Sequence, residues 1–252
     1  MPATNPDDPA DLRRVAAYFG LVGLLTLPFW IAAALIKTRL IPGLSVAALA
    51  VVAPMLAAVI VEARAGGIAA VRALFGSLGR PGRRMVLVGF YAVAIPLAVG
   101  LAAWGWSGAN GRLAFAAAPS LMALFLVAAL AEEIGWSAFA ARRLARAGLG
   151  VTSIGMVVGL AWALWHFPAL IDLGRSAGWI AWWSLGTVAQ RIVMVWLYQR
   201  GGSWIWAPIL FHAFANVAWQ VAGDAFDPRS HGLAMAAVAA LVVLARPKSA
   251  NG

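Results

Sequence analysis

Residues 121–150 read LMALFLVAALAEEIGWSAFAARRLARAGLG, and this stretch decides the fold. It opens with an unbroken apolar run, Leu121–Ala131. Two adjacent glutamates, Glu132 and Glu133, interrupt it. Ile134, Trp136, Ala138 and Phe139 then carry a helical apolar pattern on to Leu144, and Arg142, Arg143 and Arg146 stand before a turn at Gly148–Gly150. An ionised carboxylate in hydrocarbon costs roughly 2.5–3.5 kcal/mol on insertion scales. A glutamate pair inside such a run therefore points to function. A helix end merely solvated by water would not be followed by further apolar turns.

The rest of the chain has the same character. Of 252 residues, 63% are hydrophobic and 11% charged, against roughly 45–50% and 25% in a soluble domain. That excludes disorder and leaves too few polar residues to cover a soluble globule. A membrane helix needs about 20 apolar residues. About eight spans meet or approach that length: Val15–Ile36, Leu40–Val61, Met85–Trp106, Leu113–Ala131 with a helical extension to Ala147, Val151–Ile171, Trp179–Tyr198, Ser203–Val221 and the short Gly232–Leu244. The expected fold is all-α, a polytopic integral membrane protein forming one membrane domain over residues 1–252.

Charge gives orientation. Arg13, Arg14, Arg64, Arg72, Arg80, Arg83, Arg84, Arg142, Arg143, Arg146, Arg200, Arg246 and Lys248 fall on the side of both termini; Lys37, Arg39, Arg112, Arg175 and Arg229 fall on the other. Arg191 alone lies inside a span. The positive-inside rule places both termini in the cytoplasm, and Met1–Asp11 is too acidic for the start of a cleavable signal. The expected location is a multi-pass protein of a bacterial plasma membrane. The net charge of +10 then belongs to lipid headgroups, and nucleic acid is not an expected partner. Arg64–Arg84 should form an amphipathic helix on the cytoplasmic surface. With no cysteine in the chain, disulfides, thiolate metal sites and thiol nucleophiles are excluded.

The scarce polar residues recur in successive spans. His166 sits in LAWALWHFPA, and His212 and Asn216 sit in ILFHAFANVA, at an i, i+4 spacing that places them on one helix face. Glu132 and His166 stand equally far in sequence from Leu149, at about 25 Å of helix rise from the turn, and so meet at one depth. His231 lies near Asp224, Asp227 and Arg229 and reads as a solvated loop residue. A glutamate beside a histidine in a low-dielectric cavity is a general-base arrangement. His212 and Asn216 offer N–H donors for an oxyanion. Together they fit water attack on a carbonyl. Glu132, His166 and His212 would equally make a three-ligand site for a divalent metal such as zinc. No phosphate-binding loop and no G-x-S-x-G elbow occurs.

The segments EEIGWSAFAARRL, WALWHFP and WLYQRGGSWIWAPILFHAFAN resemble the three motifs of the CPBP family, the CAAX prenyl endopeptidase and bacteriocin-processing (Abi) intramembrane proteases. The likeness covers a motif-bearing core of about residues 119–219. It implies an intramembrane endopeptidase for a protein or peptide substrate. Glu132 corresponds to the water-activating glutamate, with His166 beside it; His212 and Asn216 correspond to the oxyanion pair, and Glu133 to a structural glutamate. The family is described both as metal-dependent and as metal-free, so either zinc or no cofactor fits. Trp162 replaces a phenylalanine of the second motif, and Ser137 replaces the arginine of the first. Arg191 is expected to supply the missing cation to Glu133 or Glu132. Two other readings remain: a non-catalytic binding or bacteriocin-immunity protein that retains the fold, and a transporter with a glutamate proton relay.

Overall fold

The computed structural model describes residues 9–36, 39–41, 44–107 and 113–245. Lys37, Arg112, Arg246, Lys248 and most of the Met1–Asp11 segment lie outside the described residues. The chain runs through α1 (Pro9–Ile36) and a short antiparallel pair, β1 (Arg39–Ile41) with β2 (Leu44–Ser45). A 3-10 segment, Val46–Val52, leads into α2 (Ala53–Phe75), followed by α3 (Met85–Ser107) and α4 (Ala118–Glu133). A π-helical segment, Ile134–Ala141, continues α4 into α5 (Arg142–Arg146). Then come α6 (Val151–Asp172), α7 (Ala177–Arg200), α8 (Trp206–Ala222) and α9 (Pro228–Leu244).

Six of these stretches are long and apolar enough to cross a membrane: Ala10–Ile36, Val46–Gly79, Met85–Ser107, Phe115–Arg146, Val151–Asp172 and Ala177–Arg200. α9 is a shorter apolar helix, and α8 has 17 residues. The polytopic all-α reading holds, and the count of eight becomes six long spans with two shorter helices. The second span starts later and runs further than its hydropathy implied. It breaks at Gly66–Gly67, where Gly67 takes a φ of +61°, and the helix and 3-10 turn beyond lay Leu74, Phe75 and Leu78 against the bundle.

Burial follows the logic of a lipid solvent. Large apolar side chains face outward, among them Ile31, Leu35, Phe90, Val127 and Leu241, while Ala57, Ala58, Ala129 and Ala138 pack inside. Small residues let helix backbones approach where no hydrophobic effect drives them together. α6 meets α7 through Gly155 and Gly159. A Cβ at Gly155 would lie 2.6 Å from the Ile192 Cα, and one at Gly159 would lie 3.0 Å from the Val188 Cα. This contact presses the middle of α7, with Arg191, toward the interior.

Each end of the bundle is tied by polar contacts. At the end holding α5, the Arg143 guanidinium pairs with Asp11 of α1 and, at 2.7 Å, with Glu62 of α2, while Arg146 reaches Asp11 at 3.0 Å. At the other end, the Ser45 hydroxyl donates to Asp172 at 2.6 Å, joining the 3-10 segment to the end of α6.

Candidate active site

Glu132 and Glu133 are the last residues of α4, at the junction where the ladder changes to π geometry. Such changes in winding occur often at functional sites. Two residues beyond Glu133 is Gly135, whose added Cβ would fall 2.5 Å from both the Pro54 carbonyl oxygen and the Tyr18 hydroxyl. α1 and α2 therefore press directly on the turn that carries the two carboxylates.

The two glutamates have different surroundings. Glu133 is fully buried. Arg191 Nη1 faces both of its oxygens, at 3.0 and 2.8 Å. The Ser137 hydroxyl donates to Oε2 at 2.5 Å, and His212 Nδ1 lies 3.0 Å from Oε1. The Arg191 side chain also lies over the Trp162 ring, 4.1 Å from its centroid. Arg191 thus gives Glu133 the cation that position 137 lacks, and it reaches Glu133 from three helices along the chain. A buried pair of this kind holds each member in place, because removing one strands the other charge.

Glu132 has no arginine. Its Oε2 accepts the indole N–H of Trp162 at 2.8 Å and, more weakly, that of Trp136 at 3.4 Å. Its Oε1 lies 3.9 Å from His212 Nε2, too far for a direct hydrogen bond. Trp162 is therefore more than an aromatic exchange, since phenylalanine has no donor for this carboxylate.

The two histidines are oriented by their Nδ1 atoms. His166 Nδ1 lies 2.8 Å from the Trp162 carbonyl. A carbonyl can only accept, so Nδ1 carries the hydrogen and, in the neutral ring, Nε2 keeps its lone pair. His212 Nδ1 donates to Glu133 by the same logic, and its Nε2 points toward Glu132. With Nδ1–H given to Glu133, Nε2 carries a hydrogen for an oxyanion when the ring is an imidazolium.

Glu132, His166 and Asn216 line one cavity of about 220 Å³. The rest of its wall is mostly apolar, including Leu124, Phe125, Ala128 and Leu170. It runs from the Glu132 carboxylate toward Ser45, Leu173 and Gln220, at the end away from α5. His212 stands behind Glu132 and is almost fully buried. All four expected residues thus meet around Glu132, three on the cavity and one behind it. The metal set fits less well. Among the described residues, no group of three His, Asp or Glu is spaced to hold an ion, and two indole N–H groups already engage one Glu132 oxygen.

One residue of the neighbourhood went unread in the sequence and another was misread. Tyr18 of α1 is fully buried beside Gly135, but one tyrosine in an apolar run carries no signal of what it will face. His231 is not a solvated loop residue. Asp227 caps α9 through the backbone N–H groups of Arg229 and Ser230, so the helix begins at Pro228 and holds His231 half-buried in its first turn.

The profile of a known family, described as Type II CAAX prenyl endopeptidase Rce1-like, matches residues 114–218. That range contains Glu132, Glu133, His166, Arg191, His212 and Asn216, and excludes Tyr18 and His231. No curated protein matches the chain.

Proposed function

We propose that the protein is an intramembrane endopeptidase in which Glu132 activates the attacking water, a reading that the match of residues 114–218 to the Rce1-like type II CAAX prenyl endopeptidase profile supports. The convergence of Glu132, His166 and Asn216 on one cavity, with His212 Nε2 3.9 Å from Glu132, carries this reading. A water held between the Glu132 carboxylate and the His166 Nε2 lone pair has two acceptors for its two hydrogens. Glu132 takes one proton as the water oxygen attacks the peptide carbonyl. The oxyanion accepts hydrogen bonds from the Asn216 amide and from His212 Nε2–H. Collapse breaks the C–N bond, and Glu132 returns its proton to the leaving nitrogen.

Glu133 and Arg191 do not touch the reacting atoms in this scheme. They hold His212 in one orientation, with Nε2 forward. No step is routed through a metal, because the residues present do not form a three-ligand set, and the glutamate-type mechanism is the one their geometry supports. The mainly apolar cavity suits an apolar segment of a protein or peptide substrate. The charge asymmetry supports cytoplasmic termini, and the proposed setting is the plasma membrane of a bacterium.

The non-catalytic reading drew its support from Ser137. With Arg191 on Glu133, that support is removed. The test is cleavage of quenched peptides by purified protein, comparing wild type with Glu132→Ala and His212→Ala. Equal cleavage by all three would remove the proposal.

A further inference from the structure

His166, Asn216 and Trp219 have a second face. Behind them lies another cavity, of about 40 Å³, whose wall adds Trp183, Thr187, Gln190 and His231. Its character differs from that of the large cavity. Thr187 and Gln190 stand one turn apart on α7, facing Asn216 of α8 and His231 of α9. The Thr187 hydroxyl donates to the Trp183 carbonyl at 2.9 Å, which leaves its lone pairs for an outside donor. Gln190 is 8% exposed, yet its amide bonds no other described residue, and neither does that of Asn216. Buried polar side chains in folded proteins nearly always have partners. A buried water needs about 10–15 Å³ and two to four polar partners. This cavity has the volume for it and the side chains that need it.

Its position gives that water a use. The rings of Trp179, Trp219 and Phe226 lie 5.5 to 6.1 Å apart, so the start of α7, the end of α8 and the start of α9 share one end of the bundle. α9 comes close to α7 there because Gly186 has no side chain: a Cβ would meet His231 Cδ2 at 3.1 Å and the Gly232 Cα at 3.3 Å. His231 and Phe226 sit toward that end, and Gln190 sits deeper on α7. His166 and Asn216 border both cavities.

We propose that the small cavity is a water-binding site that feeds Glu132, separate from the apolar cavity that takes the peptide. The inference rests on the hydrolase reading and deepens it. Each turnover consumes one water: its oxygen forms the new C–O bond, the C–N bond breaks, and Glu132 carries one proton to the leaving nitrogen. A substrate filling the apolar cavity would block that approach to Glu132. Water arriving between His166 and Asn216 reaches the carboxylate from the other side. Gln190 and Thr187 are positioning residues for it, and His231 lines the outer part of the route.

The chain has no cysteine, so Gln190→Cys creates a unique thiol. In nanodiscs, a small water-soluble methanethiosulfonate should modify it about 10-fold faster than a Met194→Cys control in the dry core, since thiol reactivity follows access. His231→Phe added to Gln190→Cys should slow that modification. With a cleaved peptide, Gln190→Leu should lower kcat about 10-fold and leave KM within about 2-fold, a split that simple loss of substrate binding does not give. Gln190→Asn should restore most of the rate, and Thr187→Val, which keeps the shape, should lower kcat without lowering Tm. An unreactive Gln190→Cys thiol in folded protein, or wild-type kcat in Gln190→Leu, would overturn the proposal. If wild type cleaves no peptide, the hydrolase reading fails, and reagent access at position 190 alone then upholds or overturns a hydrated cavity.

Discussion

Replacing Arg191 by methionine removes the guanidinium that faces both oxygens of Glu133, at 3.0 and 2.8 Å. Both side chains have zero exposure, so solvent does not take the place of the lost partner. For charge centres about 4 Å apart at an effective dielectric of about 20, the attraction is about 4 kcal/mol. Measured losses for breaking a buried pair by removing one member run to about 3–5 kcal/mol. Most of this loss lies in the stranded carboxylate, because Arg191 Nε and Nη2 already lack partners among the described residues. At about 2–4 °C per kcal/mol for a chain of this size, Tm in detergent should fall by about 6–20 °C. The 13 tryptophans make scanning fluorimetry a suitable readout, with one scan rate for all variants. Glu133→Gln removes the charge but keeps an acceptor for His212 Nδ1, so Arg191→Met with Glu133→Gln should recover much of the loss. Restoring a cation through Ser137→Arg in the Arg191→Met background should also recover part of it, since the Ser137 hydroxyl already touches Glu133. If the two single losses add in the double variant to within about 0.5 kcal/mol, the pair is not coupled and the reasoning fails.

Three further perturbations probe other parts of the structure. Gly159→Val should push α6 from α7, because its Cβ would lie 3.0 Å from the Val188 Cα; a loss of about 1–3 kcal/mol is expected, while Gly20→Ala, with open space around it, should leave Tm unchanged. Trp162→Phe keeps the ring but withdraws the 2.8 Å indole donor from Glu132; circular dichroism should be unchanged, and a stability loss of about 1.5–3 kcal/mol is expected for a hydrogen bond to a charged group. Asp227→Ala should cost about 1 kcal/mol through loss of the α9 cap. Burial alone would raise the Asp227 carboxyl, but the Ser230 hydroxyl, the Ser230 and Arg229 backbone N–H groups and the Arg229 charge together hold it below the usual aspartate range. A depressed carboxyl stabilises above the ordinary value near 4 and loses its contribution as pH falls through its folded value. The difference in Tm between wild type and Asp227→Ala should therefore shrink on acidification below pH 4.

The parts of this molecule legible in sequence were those with a simple signal. Apolar runs gave the helices, and residue types that are costly in lipid marked Glu132, Glu133, His166, Arg191 and His212. Arg191 could be read because a charge within a span needs a partner, and position 137 had lost one. The π-helical segment was hidden because Ile134–Ala141 is buried at every position, so no polar face reports the winding. The role of Trp162 as a donor was hidden because the indole N–H matters only when an acceptor lies within reach, and Glu132 is 30 residues away in sequence. His231 was misread from charged neighbours. Asp227 is a cap and Pro228 the first helical residue, a pattern that marks a helix start as readily as a loop. Tyr18 and Gln190 took their places from helix packing, through Gly135 and through the α7–α9 contact at Gly186, which single-sequence patterns do not encode.

The central claim is that Glu132 activates the water that cleaves a peptide bond. Its most direct test is kcat of purified Glu132→Gln on a peptide that the wild type cleaves, with Tm measured alongside. Glutamine preserves the shape and an acceptor for Trp162 but cannot take a proton from water. The account predicts a fall in kcat of about 10²–10⁴-fold, the usual size of general-base catalysis, with Tm close to that of wild type. Wild-type turnover by Glu132→Gln would contradict it.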